Sequence, residues 1–159
     1  MFTEELRSVA ERAVLCWLAT ADGEGQPNVS PKELFRIAGE DRLEIAEIAS
    51  PTSARNLGAN PRVCVSFVDV FVQKGFKVRG RARLLAPEDP AFEAAAGPLR
   101  ELAGDAFRIR GVISVTAEAV APIVAPSYRF VPGTTEAGQV AAALRRYGVR
   151  RASAAEAGE

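Results

Sequence analysis

Leu43-Glu-Ile-Ala-Glu-Ile-Ala-Ser-Pro-Thr-Ser-Ala-Arg-Asn-Leu-Gly-Ala-Asn-Pro61 decides the reading of this chain, because an alternating strand runs straight into a helix whose first turn is rich in hydroxyls. Ser50 is a strong N-cap residue, and Pro51 takes the first helical position, where its missing N–H costs nothing. Thr52 and Ser53 add side-chain hydroxyls to the free backbone N–H groups of the first turn. Read alone, the junction is either a well-capped connecting helix or a seat for a phosphate. The flanking sequence has to choose between them.

Upstream, residues 14–21 read as a strand, Asp22-Gly23 with Gly25 as a turn, and residues 26–37 as the returning strand of a hairpin. In that second strand Val29, Pro31, Phe35 and Ile37 fall on one face and Asn28, Ser30, Lys32 and Arg36 on the other, which predicts one core face and one polar face. A turn at residues 39–42 leads into a third strand over 43–49 and then the helix over 50–59. Pro61 opens a fourth strand over 62–72, dense in valine and phenylalanine. Residues 76–85 alternate again, with Phe76, Val78, Gly80, Ala82 and Leu84 on one side and Lys77, Arg79, Arg81 and Arg83 on the other. Four cations on one face describe a solvated outer face, or an edge strand protected by charge. The functional alternative is a basic rim at an anionic ligand or a dimer seam.

At the amino end, Thr3 caps an amphipathic helix reaching to about residue 13, with Leu6, Val9, Ala10 and Ala13 on one face. Beyond the hairpins, residues 87–102 read as a helix interrupted near Gly97-Pro98, 109–125 as a long strand, and 127–131 as a last short strand. Thr134 or Thr135 caps a helix through Tyr147, and residues 152–159 read as a disordered tail. Five or six strands with three or four peripheral helices fit a mainly β, Greek-key-like small barrel formed by one domain over residues 1–151.

Composition narrows the functions. The 159 residues, 48% of them hydrophobic, suffice for a core without disulfides. Twenty basic and twenty acidic residues leave no net charge, so neither nucleic acid nor an anionic membrane is the expected partner. No apolar run of membrane-spanning length occurs and the amino terminus is acidic and amphipathic, which points to the cytoplasm. Cys16 and Cys64 lie in apolar strands without metal-ligand spacing and read as buried, reduced thiols. The chain has no histidine, which removes the usual general base, the Ser-His and Cys-His pairs and most zinc sites. If the protein is an enzyme, a bound cofactor carries the chemistry.

Three motifs stand in order: Leu18-Ala-Thr-Ala-Asp-Gly with Pro27, then Asn56-Leu-Gly-Ala-Asn-Pro-Arg-Val63, then Val78-Arg-Gly-Arg-Ala82. Over about residues 9–88 this order resembles the pyridoxamine 5'-phosphate oxidase-like family of FMN-binding split barrels. The resemblance implies a homodimer with FMN at the subunit interface, the flavin phosphate over the helix start at Ser50 and the ring against the second and third strands. The implied cofactor contacts are Ser30, Pro31, Lys32, Ala46, Glu47, Ser50, Thr52, Ser53, Gly75 and Lys77. Oxidases of the family carry an arginine and a lysine where this chain has Thr52 and Ser53. Losing two charge-assisted hydrogen bonds costs about 1.5–3 kcal/mol each, and Lys32, a partner's cation or the Lys77 to Arg83 face would have to replace them.

Glu47 aligns with a flavin-touching position, and a carboxylate there needs a cation such as Lys32 or Arg55 between it and the phosphate; its other reading is an outward-facing strand residue. Gly75 stands where the vitamin-B6 oxidases have a glutamine, so only a backbone contact carries over. Their substrate-binding tryptophan and arginine have no counterpart, which argues against pyridoxamine phosphate as substrate. Trp17 and Tyr128 are either ring-stacking partners or, for the strand-borne tryptophan, core. Arg145, Arg146, Arg150 and Arg151 suit a helix carboxyl end.

The reaction the resemblance implies is hydride transfer between a reduced nicotinamide or organic donor and the flavin. The alternatives are a non-catalytic dimer that binds or senses a flavin or a tetrapyrrole-like ligand, a deazaflavin-dependent reductase whose larger tail would use the basic strand, and a structural dimer with a degenerate site. A histidine-ligated haem is incompatible with the composition.

Overall fold

A computed structural model describes residues 2–104 and 107–152. Its strands are β1 (Cys16–Ala21), β2 (Pro27–Lys32), β3 (Phe35–Ala38), β4 (Arg42–Glu47), β5 (Arg62–Asp69), β6 (Lys74–Leu85) and β7 (Gly111–Val124). All pair antiparallel in one sheet, in the order β2-β1-β5-β6-β7-β4-β3. Only Glu33 and Leu34 separate β2 from β3, yet these strands are the two opposite edges of the sheet. A two-residue link can join opposite edges only if the sheet curls until they approach, and this makes the mainly β split barrel.

The fold corrects the hairpin reading. Residues 26–37 are two strands, and the alternation that continued across them hid the break because a bend of the chain need not interrupt a period of two. The polar face of β2 is the one turned inward: Val29 is 59% exposed and Pro31 is exposed, whereas Lys32 is only 7% exposed. Trp17 likewise points outward, because Cys16 and Leu18 on either side of it take the inward positions of β1.

The inside of the curl holds Leu6 and Val9 of α1 (Glu4–Arg12) against Leu18, Leu43, Ile45, Val65, Phe67, Val78, Ile113 and Val115. Thr3 caps α1 by accepting from the Leu6 N–H. A second apolar cluster lies under α3 (Phe92–Ala103), where Phe92, Ala95, Ala96 and Leu99 meet Ala46, Leu85 and Val112. The helix runs unbroken through Gly97-Pro98, contrary to the expected interruption. Burial of its apolar stripe outweighs the roughly 3 kcal/mol that an interior proline costs.

β5 ends at Asp69, short of residue 72. The Asp69 carboxylate accepts from the N–H groups of Phe71 and Val72 at 3.0 and 3.3 Å, turning the apolar 70–72 segment into a tight loop whose last residue, Gln73, has φ 58°. Residues 127–131 begin a short helix, α4 (Ser127–Phe130), rather than a strand; Pro126 sits in the right-handed helical region and the Tyr128 hydroxyl donates to the Val72 carbonyl at 2.7 Å. Helix α5 (Glu136–Tyr147) follows, capped by Thr135, which accepts from the Gly138 N–H at 3.1 Å. The described residues therefore contain seven strands and five helices, more of each than the patterns suggested. The expected tail lies, but for residue 152, outside the described residues.

Candidate functional site

Helix α2 (Pro51–Ala59) crosses the polar, inward face of the β1–β2 hairpin. Ser53 and Asn56 are three residues apart, hence on one helical face, and both are buried. The Asn28 amide of β2 donates to Ser53 Oγ and to Thr20 Oγ1, both at 3.3 Å, the Ser30 and Ser53 hydroxyls are 3.1 Å apart, and the Asn56 amide donates to Thr20 Oγ1 at 3.1 Å. This network fastens the helix to the hairpin. Ser53 is thereby turned into the fold, away from the surface where a phosphate would arrive.

The second half of the cluster joins β2, β4 and the residue before α2. Lys32 Nζ lies 3.1 Å from Glu47 Oε2, and the Ser50 N–H donates to Glu47 Oε1 at 2.6 Å. The Ser50 hydroxyl also donates to Glu47 and accepts from Lys32, so it makes no capping bond to α2. Burial would raise the Glu47 carboxyl, but the Ser50 hydroxyl and N–H and then the Lys32 charge outweigh it and hold it below its ordinary value. Glu47 is thus an inward ionised carboxylate, not an outward-facing strand residue. The cation between it and any ligand is Lys32, since Arg55 is exposed on α2. Every buried side-chain polar atom here has a partner.

Of the other candidates, Thr52 stays half-buried at the helix start and Ala46 is buried with its side chain in the α3 cluster. Ser30 is half-buried in the network, whereas Pro31 faces outward beside Trp17. Gly75 is a glycine for a packing reason: a Cβ there would stand 2.1 Å from the Phe67 carbonyl oxygen. Lys77 is exposed on the outer face of β6 and is not brought to the α2 cluster. The Tyr128 hydroxyl is held by the 70–72 loop and Lys74 Nζ sits 4.6 Å from its ring centroid, so this residue is not a free stacking platform.

The outer face is the other concentration of charge. β6 lies between β5 and β7, which removes the edge-strand explanation of its cations. Cys16 is buried, and that burial pushes its thiol up to about 12, while Cys64 is half-buried, less enclosed than expected. Thr20, Asn28 and Asn56 were not singled out from sequence, although Asn56 stands inside the motif Asn56-Leu-Gly-Ala-Asn-Pro61 and shares the helix face of Ser53. Arg62 and Glu118 were also passed over, because only the strand register brings them beside the β6 cations. Among the described residues there is no cluster of three metal-ligating side chains, and no helix is long and apolar enough to cross a membrane.

Known proteins fit this geometry. No curated protein matches the chain. Among solved structures, HupZ of Group A Streptococcus superposes with TM-score 0.69 at 24% identity, covering 79% of this chain and 96% of that one. An FMN-binding protein from Syntrophomonas wolfei subsp. wolfei gives 0.64 at 15% identity, over 75% and 84% of the two chains. An F420 reductase gives 0.59 at 25% identity, over 76% of this chain and 98% of its own. The first two likenesses speak for the fold alone. The family described as "Pyridoxamine 5'-phosphate oxidase" matches residues 2–129, most of the chain, and together with the split-barrel sheet this shows that the protein belongs to that family.

Proposed function

We propose that the protein binds a flavin-type cofactor, FMN or a deazaflavin, and works as a redox protein on a small-molecule reductant or substrate. The observation that carries this reading is the convergence of Lys32, Glu47 and Ser50, from β2, β4 and the start of α2, into one hydrogen-bonded cluster at the positions the family resemblance assigns to the cofactor. The FMN-binding protein and the F420 reductase of the same fold favour this ligand class.

The cluster fits one part of such a cofactor and not another. Lys32 is matched one to one by Glu47, so the helix start offers hydrogen bonds but no spare positive charge for a phosphate. A carboxylate acceptor beside ammonium and hydroxyl donors instead suits the polar, carbonyl- and N–H-bearing edge of the ring. When bound, the cofactor supplies hydride chemistry; the chain orients its ring. Lys32 and Ser50 would hold ring carbonyls, and Glu47 an N–H.

Two copies of the chain are the proposed assembly. Val29 is 59% exposed, and with the exposed Pro31 it leaves an apolar patch on β2, an edge strand of the sheet. The cytoplasm is the proposed compartment and the residues up to 151 the proposed single domain.

An absorbance spectrum of the protein from its own host, followed by titration of the apoprotein with FMN and with a deazaflavin, tests the reading. Flavin bands near 370 and 450 nm (about, as for free flavins), or saturable binding of either cofactor weakened by Glu47→Gln, is the expected result. A colourless protein that binds neither overturns it.

A further inference from the structure

Strand β6 carries Lys77, Arg79, Arg81 and Arg83 exposed on one face in the middle of the sheet, where edge protection has no purpose. The register adds a fifth cation, since Arg62 of β5 stands directly opposite Arg81. Like charges in that position repel. Arg83 is paired with Asp89 at 2.6 Å, but Arg62, Lys77, Arg79 and Arg81 have no ion-pair partner among the described residues. Alternate residues of a strand are about 7 Å apart, so this is a ladder of unmatched charges.

The ladder borders a built recess. Ala119 pairs with Arg79 and Ala117 with Gly80, leaving Glu118 as the extra residue of a β-bulge. Gly80 permits the close approach, because a Cβ there would stand 2.0 Å from the Thr116 carbonyl oxygen. At the bulge lies a groove of about 490 Å³ lined by Arg62, Arg79, Cys64, Asn60 and Glu118. Two arginines against one carboxylate leave it positive. On the same face, Trp17, Ser66 and Lys77 form one cross-strand row, which sets the Trp17 backbone two strand spacings, about 10 Å, from that of Lys77.

We infer that this groove binds the phosphate groups of a nucleotide-type ligand, with Arg62 and Arg79 on the phosphates and the ligand's aromatic ring directed toward Trp17. The inference deepens the proposed function by placing the anionic end of a ligand away from the neutral cluster at α2. The phosphates belong either to the cofactor's own tail or to a nucleotide reductant.

Trp17, the only tryptophan, gives the readout. Its emission is followed while ADP, inorganic phosphate or FMN is added to the full chain, with FMN absorbance recorded separately. ADP is expected to quench saturably, with affinity falling about tenfold for each of Arg62→Ala and Arg79→Ala, rising for Glu118→Gln, and declining with added salt. If FMN affinity falls in the same arginine variants, the cofactor's phosphate occupies the groove; if only ADP affinity falls, a nucleotide reductant does. Absence of an ADP response, or an equal response in the arginine variants, overturns the groove while leaving FMN binding to be judged by its own spectrum. ADP binding without FMN or deazaflavin binding overturns the flavin reading and leaves the groove.

Discussion

At the start of α2 one lysine, 7% exposed, meets a carboxylate at 3.1 Å and a serine hydroxyl, whereas on the outer face of β6 and β5 four exposed cations have no ion-pair partner among the described residues. The difference follows from where each charge is held. An ion buried inside the chain has to be matched within the chain, because leaving it unpaired costs several kcal/mol. An exposed cation is solvated and screened, so the fold tolerates a ladder of them and their charge stays available to a ligand. In this family member, the one cation at the helix start is matched by the protein's own Glu47, and the unmatched positive charge lies elsewhere.

Breaking the buried pair gives the largest expected effect. Lys32→Met leaves Glu47 without its cation and should destabilise the fold by about 3–5 kcal/mol, read by urea or thermal unfolding. A loss below the level of an ordinary surface substitution would mean that Lys32 is not committed to Glu47. Ser50→Ala removes a hydroxyl that bridges both groups and should cost about 1–3 kcal/mol, measured in the same way.

Acid sharpens the comparison. Folding lowers the Glu47 carboxyl below 4.5: burial opposes this, and the Ser50 hydrogen bonds and Lys32 prevail. Its contribution is therefore full above its unfolded value and is lost as the pH falls through 4.5 toward the folded value. The melting temperature of the wild type should fall more steeply across that window than that of Glu47→Gln; parallel curves would contradict the ionised pair.

The smallest effect has the opposite sign. Arg81→Glu replaces the Arg62–Arg81 repulsion with a cross-strand ion pair and should stabilise the ligand-free protein by about 0.2–1 kcal/mol. A drop in melting temperature would show that Arg81 already has a favourable partner in solution.

What the sequence made legible was local. Thr3 and Thr135 cap the helices expected of them, and Asp22 makes the hairpin turn by accepting from the N–H groups of Glu24 and Gln26 at 3.0 and 2.9 Å. Inward and outward faces of β6 follow its alternation up to Arg83, after which Leu84 is exposed and Leu85 buried. What stayed hidden depended on tertiary context. Nothing in the alternation of residues 26–37 says that Glu33-Leu34 passes from one sheet edge to the other, or that polar Asn28, Ser30 and Lys32 face a helix while Val29 faces out. Residues 70–72 are apolar enough for a strand, yet one carboxylate, Asp69, folds them into a loop. At the site, the sequence offers Lys32 or Arg55 as the cation beside Glu47, and only the folded chain, with its 3.1 Å contact, selects Lys32.

The most direct test is an amide-resolved NMR titration of the 16.9 kDa chain with ADP. The separation of a charge-matched cluster at α2 from an unmatched cationic groove on the sheet predicts shifts at Arg62, Cys64, Arg79, Gly80 and Glu118, with Ser50, Thr52 and Ser53 unmoved. Shifts centred on Ser50, Thr52 and Ser53, with the strand amides silent, would contradict it and return the phosphate to the helix start.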